Sequence, residues 1–423
     1  MGKFRRVKNK IRDFYRFRIY ASSIRRKQRR YARSLRDKDE IRVVLFAMSV
    51  SMWKYGPLYQ LIKEHPRFRP FVVIAPSPTY SKEEQKKEVE ALRSYFGTQG
   101  IEYYDFDVDS ATGVDVRTEL NPDVLFYPQP YLTIMPPEYR FRMFYDRLLC
   151  YSPYAFWVIN TEWSYNTFFH NIAWRLYYAS DIHKQEASRI AVNKAKNSRV
   201  VGHLISSEFL KSSYTDIWKP QTMRKKRLIW SPHFSINEKG CLVHCSNFLW
   251  MADFMVELSK RYADEIQFTF KPHPRLLSEL YKHPDWGEER ANSYYEYWRN
   301  AEHSQLENGE YQDLFMTSDA MIHDCGSFIV EYLYSQNPSM YIVQSVEERL
   351  AEYNRLGQDA IKSHYIGKCE EDVERFVREI VLDGKDTMQG VRAQFYDTYL
   401  GAQKDASVAE SIVDNLLKSI EQA

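Results

Sequence analysis

The chain has 423 residues, a formal net charge of +3, 44% hydrophobic residues and 27% charged residues, a composition typical of globular proteins. Its length exceeds the ~150 residues of a single domain, so two domains are expected. Five cysteines with no paired spacing exclude a disulfide framework and favour a reducing, cytoplasmic compartment. Residues 1–40 hold 16 Lys and Arg against 4 Asp and Glu, whereas the remainder holds 43 against 52, so a basic arm precedes an acidic body.

The basic arm contains a predicted amphipathic helix over residues 4–24. Apolar side chains recur there every three or four positions between Arg and Lys, at Phe4, Val7, Ile11, Phe14, Phe17 and Ile24. Helices of this kind bind at membrane interfaces, which is the function expected of residues 1–40. Three alternatives stay open: a solvated tail, a helix docked on its own protein, and nucleic-acid binding.

Neither a signal peptide nor a membrane span is expected near the start of the chain. The charge of the arm continues to Arg42, which does not fit a signal peptide. The apolar run that follows, Val43–Met48, is far too short to cross a bilayer.

Strands and helices are predicted to alternate over residues 41–212. The predicted strands are Arg42–Met48, Pro70–Ala75, Ile101–Phe106, Pro122–Tyr127, an apolar run at Leu148–Ile159, and Ser198–Val201. The predicted helices are Pro57–Glu64, Lys82–Phe96 and most of Glu162–Lys196. This alternation predicts a parallel sheet with helices on both faces.

A second alternating series follows a predicted linker at residues 213–226. Its predicted strands are Leu228–Ser231, Ile266–Phe270, Ala320–His323 and Ser339–Val343. Its predicted helices are Phe248–Tyr262, Tyr311–Met316, Ser327–Ser335, Glu347–Leu356 and Glu370–Val381, and a terminal amphipathic helix covers residues 405–421. The fold class expected is therefore α/β, with Rossmann-like domains at residues 41–212 and 227–400 facing a cleft, and a C-terminal helical segment at 401–423.

The segment Phe270–Arg275 ends a predicted strand and is the strongest candidate site. In open α/β sheets, ligands bind beyond the carboxyl ends of the strands. Two prolines flank His273 and stiffen its loop. Lys271 and Arg275 add positive charge, which suits an anionic phosphate ligand with His273 as proton carrier or phosphate donor. The alternative is a turn whose His caps a helix.

A second candidate segment follows the predicted strand Ala320–His323. Asp324 precedes a small-residue turn, and Gly326 and Ser327 open a helix whose N–H groups and hydroxyl can meet an anion. Glu331 lies one turn further on, at a distance that can reach ribose hydroxyls. The alternative is a routine helix N-cap with a solvated Glu.

Three weaker signals complete the candidates. His233 follows a strand at the start of the second series and can face the same cleft, although a structural role is equally compatible. Cys241, His244 and Cys245 are a fragment of a metal site without a second ligand pair, so no metal is expected. Asp105–Asp109 reads as an acidic loop, with metal binding as its alternative. Phosphate-loop, dinucleotide, hydrolase-elbow and zinc-protease motifs are absent from the sequence.

The second half of the chain resembles the CDP-glycerol glycerophosphotransferase family, the group of teichoic acid polymerases and primases. The resemblance covers residues 225–345 and rests on the segment Lys271–Pro274, the strand from Ser318 to Asp324, and the Gly326–Ser327 turn leading to Glu331. The chain differs from the family pattern in two places. Asp-Tyr-Ser-Ser is here Asp324-Cys325-Gly326-Ser327, and no Trp-His-Gly segment is present.

The resemblance implies a GT-B-like transferase, peripheral on the inner face of the cell membrane, that moves a polyol phosphate from a CDP-activated donor to a lipid-linked acceptor. No cofactor is implied. Residues 41–212 would then be the acceptor-side domain and residues 227–400 the donor-nucleotide domain. The implied catalytic residue is His273. Because the Trp-His-Gly segment is absent, His170 or His233 would have to substitute for its histidine, and His233 is taken as the second catalytic candidate. The implied donor-binding residues are Lys271, Arg275, Asp324, Gly326, Ser327 and Glu331.

Two other functions stay open at this point. One is a GT-B glycosyltransferase that uses a nucleotide sugar for capsule or lipopolysaccharide. The other is a non-catalytic binding protein tethered to membrane or nucleic acid by the arm.

Overall fold

The computed structural model describes residues 12–236, 245–401 and 407–423. The chain forms two compact units, Met1–Ser207 with Gln403–Ala423, and Glu208–Ala402. Each unit contains one large, wholly parallel sheet, which agrees with the predicted fold class. The C-terminal helix Val408–Glu421 belongs to the first unit although it follows the second in sequence.

The first unit has a seven-stranded sheet in the order β3-β2-β1-β6-β7-β8-β9. Its strands are β1 Ile41–Ala47, β2 Phe68–Ile74, β3 Tyr103–Tyr104, β6 Val124–Tyr127, β7 Leu148–Tyr151, β8 Arg175–Tyr178 and β9 Ser198–Val200. A small antiparallel pair, β4 Phe106–Asp107 and β5 Thr112–Gly113, lies apart from it. The central strand β1 is almost continuously buried, as expected where helices cover both faces of a parallel sheet.

Helices of the first unit cover this sheet. They are Ala21–Ser34, Gly56–Glu64, Lys82–Gln99, Glu162–Tyr165, Phe168–Ile172, Asp181–Ile190 and Val408–Glu421, and Ser206–Phe209 lies at the unit boundary. Lys82–Gln99 begins at a capping box, in which Ser81 and Glu84 bond each other's backbone N–H groups, and ends at Gly100 with φ +63°. Glycine adopts this left-handed conformation without steric cost, which explains where the helix stops.

The helix Ala21–Ser34, called the N-terminal helix below, is docked on the first unit. Its buried residues recur every three or four positions, at Ala21, Ile24, Gln28 and Ala32. At one end Arg25 Nη1 donates to the Asn171 carbonyl at 2.6 Å. At the other end, guanidinium groups of Arg33 and Arg36 donate to the carbonyl of Ala423, at 3.0 and 2.7 Å. For this stretch the structure shows a helix docked on its own protein.

A buried carboxylate fixes the end of the basic arm to the first sheet. Asp123 precedes β6 and is 1% exposed. It accepts hydrogen bonds from Tyr31 Oη at 2.6 Å, Lys38 Nζ at 2.5 Å and the Arg42 backbone N–H at 2.8 Å. These contacts join the N-terminal helix, the following loop and β1 at one point, which we call the Asp123 cluster.

One element prediction in the first unit was wrong. The sequence predicts mostly helix from Glu162 to Lys196, but residues Arg175–Tyr178 form strand β8 between β7 and β9. The segment Trp174–Tyr178 is rich in aromatic side chains, which favour strands. Its last three strand residues are buried, so packing within the sheet decides their conformation.

The second unit has a six-stranded sheet in the order β12-β11-β10-β13-β14-β15. Its strands are β10 Lys226–Ser231, β11 Ile266–Phe270, β12 Ser304–Leu306, β13 Ala320–His323, β14 Ser339–Ile342 and β15 Tyr365–Gly367. Strands β11 and β12 lie on one side of β10 in the sheet, and β13 to β15 lie on the other side. This is the Rossmann strand order, whose ligand sites lie where the order reverses.

Helices of the second unit connect these strands. They are Phe248–Arg261, Leu276–Lys282, Gly287–Asn300, Gln312–Met316, Phe328–Glu331, Val346–Glu352, Arg355–Ile361, Glu370–Arg375 and Gln389–Phe395. The core of this unit is rich in aromatic side chains, including the fully buried Trp230 and Trp298. Many of the Tyr and Trp side chains of the chain are therefore packed in the core.

Candidate active site

The candidate site lies where the strand order of the second sheet reverses, between β10 and β13. Ser231 at the end of β10 pairs with His323 at the end of β13, and Trp230 pairs with Phe270 at the end of β11. Further bonds hold the first two loops together, because Ser231 Oγ donates to the Lys271 carbonyl at 2.6 Å and the His273 N–H donates to the Pro232 carbonyl at 3.0 Å. The loops after β10, β11 and β13 therefore meet at one edge.

His233 and His273 face each other in this group of loops, with ring centroids 5.1 Å apart in an edge-to-face arrangement. Nδ1 of His273 accepts the Arg275 backbone N–H at 3.1 Å, and Nδ1 of His233 accepts the Ser235 backbone N–H at 3.3 Å. Because each neutral imidazole carries one proton, both rings hold it on Nε2. Both also keep part of their surface exposed, so they can donate hydrogen bonds to a ligand.

The pKa values of these two imidazoles agree with that assignment. Burial, together with the neighbouring His233 and Arg275, holds the pKa of His273 well below its usual range. Burial and the same Arg275 lower the pKa of His233 to about 3. Both rings are therefore neutral at physiological pH, and an incoming phosphate would raise their pKa values through its negative charge.

Lys271 and Arg275 add positive charge to the same loop. Lys271 is 4% exposed, and its Nζ lies 5.9 Å from the ring centroid of Tyr311. The Arg275 guanidinium lies 4.3 Å from the ring centroid of Phe234, and that ring also packs 4.4 Å from His273. Two cations and two Nε2–H donors at one strand edge suit an anionic ligand such as a diphosphate.

Asp324 is fully buried and bonded to backbone. Its Oδ1 accepts the His233 N–H at 2.6 Å and its Oδ2 accepts the Asn247 N–H at 2.5 Å. Burial raises the pKa of this carboxyl to about 7, while the two N–H bonds act in the opposite direction. Asp324 thus ties the His233 loop to the start of the helix Phe248–Arg261, and its role in donor binding stays a prediction.

Gly326, Ser327 and Glu331 follow Asp324 but differ in exposure. Gly326 and Ser327 are partly exposed at the turn, and Ser327 Oγ lies 3.3 Å from Cys325 Sγ. Glu331 is 1% exposed, and its Oε2 accepts a hydrogen bond from Tyr311 Oη at 2.6 Å. Tyr311 therefore stands between Lys271 and Glu331, and donor binding by these residues remains untested.

Sequence reasoning missed three residues that shape this site. Phe234 lies between Arg275 and His273, and Asn247 bonds Asp324, as described above. The Arg349 guanidinium lowers the pKa of His233, which burial lowers by more. It also lowers the pKa of Asp324, against the larger effect of burial, which raises it. Phe234 is adjacent to His233 in sequence and could have been noticed, whereas no local signal marks Asn247 or Arg349.

Metal ligation finds no support in the part of the chain that the structure describes, where no group of three or more His, Cys, Asp or Glu is placed to hold an ion. Cys241 and His244 lie outside the described residues. In the acidic loop, Asp105 pairs with Arg93 at 2.7 Å, Asp109 pairs with Lys86 at 2.7 Å, and Asp107 accepts from Ser110 Oγ at 2.8 Å. These contacts agree with a solvated acidic loop.

Comparison with known proteins identifies a family for the second half of the chain. The family model described as CDP-Glycerol:Poly(glycerophosphate) glycerophosphotransferase matches residues 222–418, which include every residue of the candidate site. No curated protein sequence matches the chain.

Solved structures resemble nearly the whole chain. A putative UDP-N-acetylglucosamine 2-epimerase from Listeria monocytogenes has a TM-score of 0.59 at 15% identity, covering 91% of this chain and 97% of its own. A variant of the wall teichoic acid polymerase TagF has a TM-score of 0.58 at 11% identity, covering 97% and 98%, and the same values hold for that variant soaked with CDPG. These identities show the fold, and the predicted GT-B-like class is confirmed.

The family match, the Rossmann strand order and the phosphate-type loops agree in the same part of the chain. Residues 222–418 match the model of the CDP-glycerol glycerophosphotransferase family, so the expected resemblance of the second half of the chain to this family, and with it the expectation of a glycerophosphotransferase, is confirmed.

Proposed function

We propose that the chain transfers glycerophosphate from CDP-glycerol to a hydroxyl of a membrane-linked acceptor during synthesis of a bacterial cell-surface polymer. The observation that carries this proposal is the pair of Nε2–H imidazoles, His233 and His273, beside Lys271 and Arg275 in the family-matched unit. TagF, a wall teichoic acid polymerase of the same fold, supports the assignment to surface polymers.

The proposed reaction is substitution at phosphorus. The acceptor oxygen forms a bond to the phosphorus that carries glycerol, and the bond from that phosphorus to the CMP oxygen breaks. CMP leaves with the bonding electron pair, and the proton of the acceptor hydroxyl passes to the phosphate of the departing CMP. Negative charge grows on the phosphate oxygens as the bond breaks, so fixed donors and cations stabilise the transition state more than the ground state.

A steady-state assay with CDP-glycerol and poly(glycerophosphate) tests this function. The expected result is one CMP released for each glycerophosphate attached to the polymer. Turnover of UDP-sugars or CMP-sugars in place of CDP-glycerol would favour the glycosyltransferase alternative. Calorimetry that shows binding of neither CDP-glycerol nor CMP would overturn the transferase proposal and favour the non-catalytic alternative.

Membrane attachment through residues 1–40 is the second part of the proposal. The helical turn Tyr15–Tyr20 leads directly into the N-terminal helix. Four apolar or aromatic side chains in or next to this turn are highly exposed, at 62% for Phe14, 58% for Tyr15, 49% for Ile19 and 41% for Tyr20. Exposed Arg side chains lie among them, and this combination binds anionic bilayer surfaces. Among the described residues, no helix is long and apolar enough to cross a bilayer.

The variant Phe14→Ser/Ile19→Ser is expected to lower binding to phosphatidylglycerol vesicles at least tenfold, because burial of a large apolar side chain contributes about 1.5–3 kcal/mol. Flotation of the full chain with anionic and with zwitterionic vesicles measures this. Met223→Ser is the matched control, since Met223 is 75% exposed in the second unit. Equal flotation of the double variant and the wild type would contradict the proposal.

A further inference from the structure

Two buried tyrosine hydroxyls lie beside the Gly326–Ser327 turn. Tyr341 belongs to β14, and Tyr353 directly follows the helix Val346–Glu352. Each is 1% exposed, and their Oη atoms lie 3.2 Å apart, at hydrogen-bonding distance. We call these two residues the tyrosine pair.

The Tyr353 hydroxyl stands where a side chain at position 326 would point. A Cβ atom added to Gly326 would lie 3.4 Å from Tyr353 Oη, which is ordinary van der Waals contact. The φ angle of Gly326 also lies outside the left-handed region that favours glycine. The backbone at position 326 would therefore accept a residue with a side chain, and the structure instead brings a hydroxyl there from another element.

This arrangement coincides with a place where the chain differs from the family pattern. The pattern has Asp-Tyr-Ser-Ser, whereas the chain has Asp324-Cys325-Gly326-Ser327. Positions 325 and 326 thus lack a tyrosine and a serine hydroxyl that the pattern contains. Tyr353 supplies a tyrosine hydroxyl to the same turn.

Tyr341 is held in place by the packing of two buried histidines. The strand register pairs Tyr341 with His323 at the end of β13, and the two rings pack edge to face with 5.4 Å between centroids. His323 packs on His364 with 5.2 Å between centroids. His364 is bonded at both ring nitrogens, to Ser339 Oγ at 2.5 Å and to the Ile329 carbonyl at 2.8 Å. The Tyr341 hydroxyl therefore offers Tyr353 a partner in a fixed position.

Contacts also fix Tyr353. Its carbonyl accepts a hydrogen bond from Gln358 Nε2 at 3.0 Å, and the Arg349 guanidinium lies 6.0 Å from its ring centroid, a cation–π distance. Burial raises the pKa values of both hydroxyls of the tyrosine pair, so both keep their protons. The pair carries two protons and shares one hydrogen bond, so its second O–H can donate towards the turn.

We propose that Tyr353 is a positioning residue for donor binding: its hydroxyl, held by Tyr341, replaces a side-chain hydroxyl at position 326 and keeps the Gly326–Ser327 turn in the conformation that binds the donor phosphate. The proposal rests on the function proposed above and adds to it a residue outside the Asp324–Ser327 segment. Because Tyr353 is buried, it acts through the turn and does not touch the donor.

Steady-state kinetics of the full chain with CDP-glycerol test this role. Tyr353→Phe keeps the ring and removes the hydroxyl, and it is expected to raise KM for CDP-glycerol about three- to tenfold, as for the loss of one hydrogen bond, with kcat changed less than about twofold. Tyr341→Phe breaks the same bond and is expected to have the same effect, and the double variant no larger one. Tyr297→Phe is the matched control, because Tyr297 Oη bonds another hydroxyl, Ser259 Oγ, at 2.7 Å, between two helices that do not carry the turn.

Substitutions at Gly326 separate the hydroxyl from its packing. Gly326→Ser in the Tyr353→Phe background supplies a hydroxyl from position 326, and it is expected to restore most of the lost KM. Gly326→Ala in the same background fills the same space without a hydroxyl, and it is expected to restore none. Equal recovery by both substitutions would assign the effect to packing and overturn the proposal.

The outcomes also separate this proposal from the proposed function. If the wild type turns over CDP-glycerol and Tyr353→Phe has an unchanged KM, the role of Tyr353 is overturned and the transferase stands. If the wild type neither binds CDP-glycerol nor releases CMP, the proposed function and the role of Tyr353 fall together. Replacement of Tyr by Phe keeps the buried ring, so the variants are expected to fold, which thermal unfolding verifies.

Discussion

Replacing His273 with Ala is expected to reduce kcat/KM for glycerophosphate transfer by about 10²–10³-fold, the range measured when one preorganised donor to a developing oxyanion is removed. The His273 imidazole is oriented to donate from Nε2, since the Arg275 N–H bonds its Nδ1 and the Phe234 ring packs against it. The substitution removes the Nε2–H donor and keeps the hydrogen bond from the backbone N–H of residue 273 to the Pro232 carbonyl.

His283→Ala is the matched control for this experiment. His283 also precedes a proline, and its Nδ1 accepts the N–H of the residue two positions later, Asp285, at 3.3 Å, but it lies outside the candidate site. CMP release and polymer labelling give the rates, and circular dichroism verifies the fold. Retention of most activity by His273→Ala would remove this residue from the chemistry.

Asp324→Ala is expected to destabilise the second unit and to lower kcat more than tenfold. The substitution leaves the buried N–H groups of His233 and Asn247 without their acceptor, at roughly 1–3 kcal/mol each. The His233 loop then loses its fixed position. Thermal unfolding and steady-state kinetics measure the two effects. Asp253→Ala is the control, because Asp253 is an exposed carboxylate whose ion pair with Arg290 is worth little. An unchanged melting temperature in Asp324→Ala would contradict the anchoring role.

The pH dependence of protein stability tests the raised pKa of the Asp324 carboxyl separately. Its pKa is raised from 3.8 to about 7 by burial, so between these pH values the folded protein holds a proton that the unfolded chain releases. Since the folded state then binds more protons, this group lowers stability as pH rises through that interval. Asp324→Asn removes the titration, and the wild-type minus variant difference in unfolding free energy should decline from pH 4 to 7. A flat difference would contradict the raised pKa.

The location of His273 could be predicted because its signals are local. The apolar strand Ile266–Phe270 and the prolines around His273 place the imidazole on a stiff loop at a strand end, and the structure has it there. The partnership of His273 with His233 depends on β10 lying between β11 and β13. That strand order follows from long-range packing, which the pattern of single segments does not contain.

The same reasoning explains what the sequence did not predict. The two backbone N–H partners of Asp324, which lie 91 and 77 residues away in sequence, were not predicted, and its contact with the donor stays a prediction. Asn247 and Arg349 carry no motif, and their positions depend on helix packing around the sheet. The β8 strand was predicted as helix because its short aromatic segment lies between two helical ones.

The Asp123 cluster has a mechanical consequence for the membrane attachment proposed above. The exposed segment at Phe14–Tyr20 continues without a break into the N-terminal helix, and Tyr31 and Lys38 bind that helix and its following loop to the first sheet through Asp123. A flexible linker would let the first unit rotate freely below its anchor. Here the exposed segment and the first sheet are joined rigidly. A bilayer that binds the segment would therefore also set the angle between the first sheet and the membrane plane.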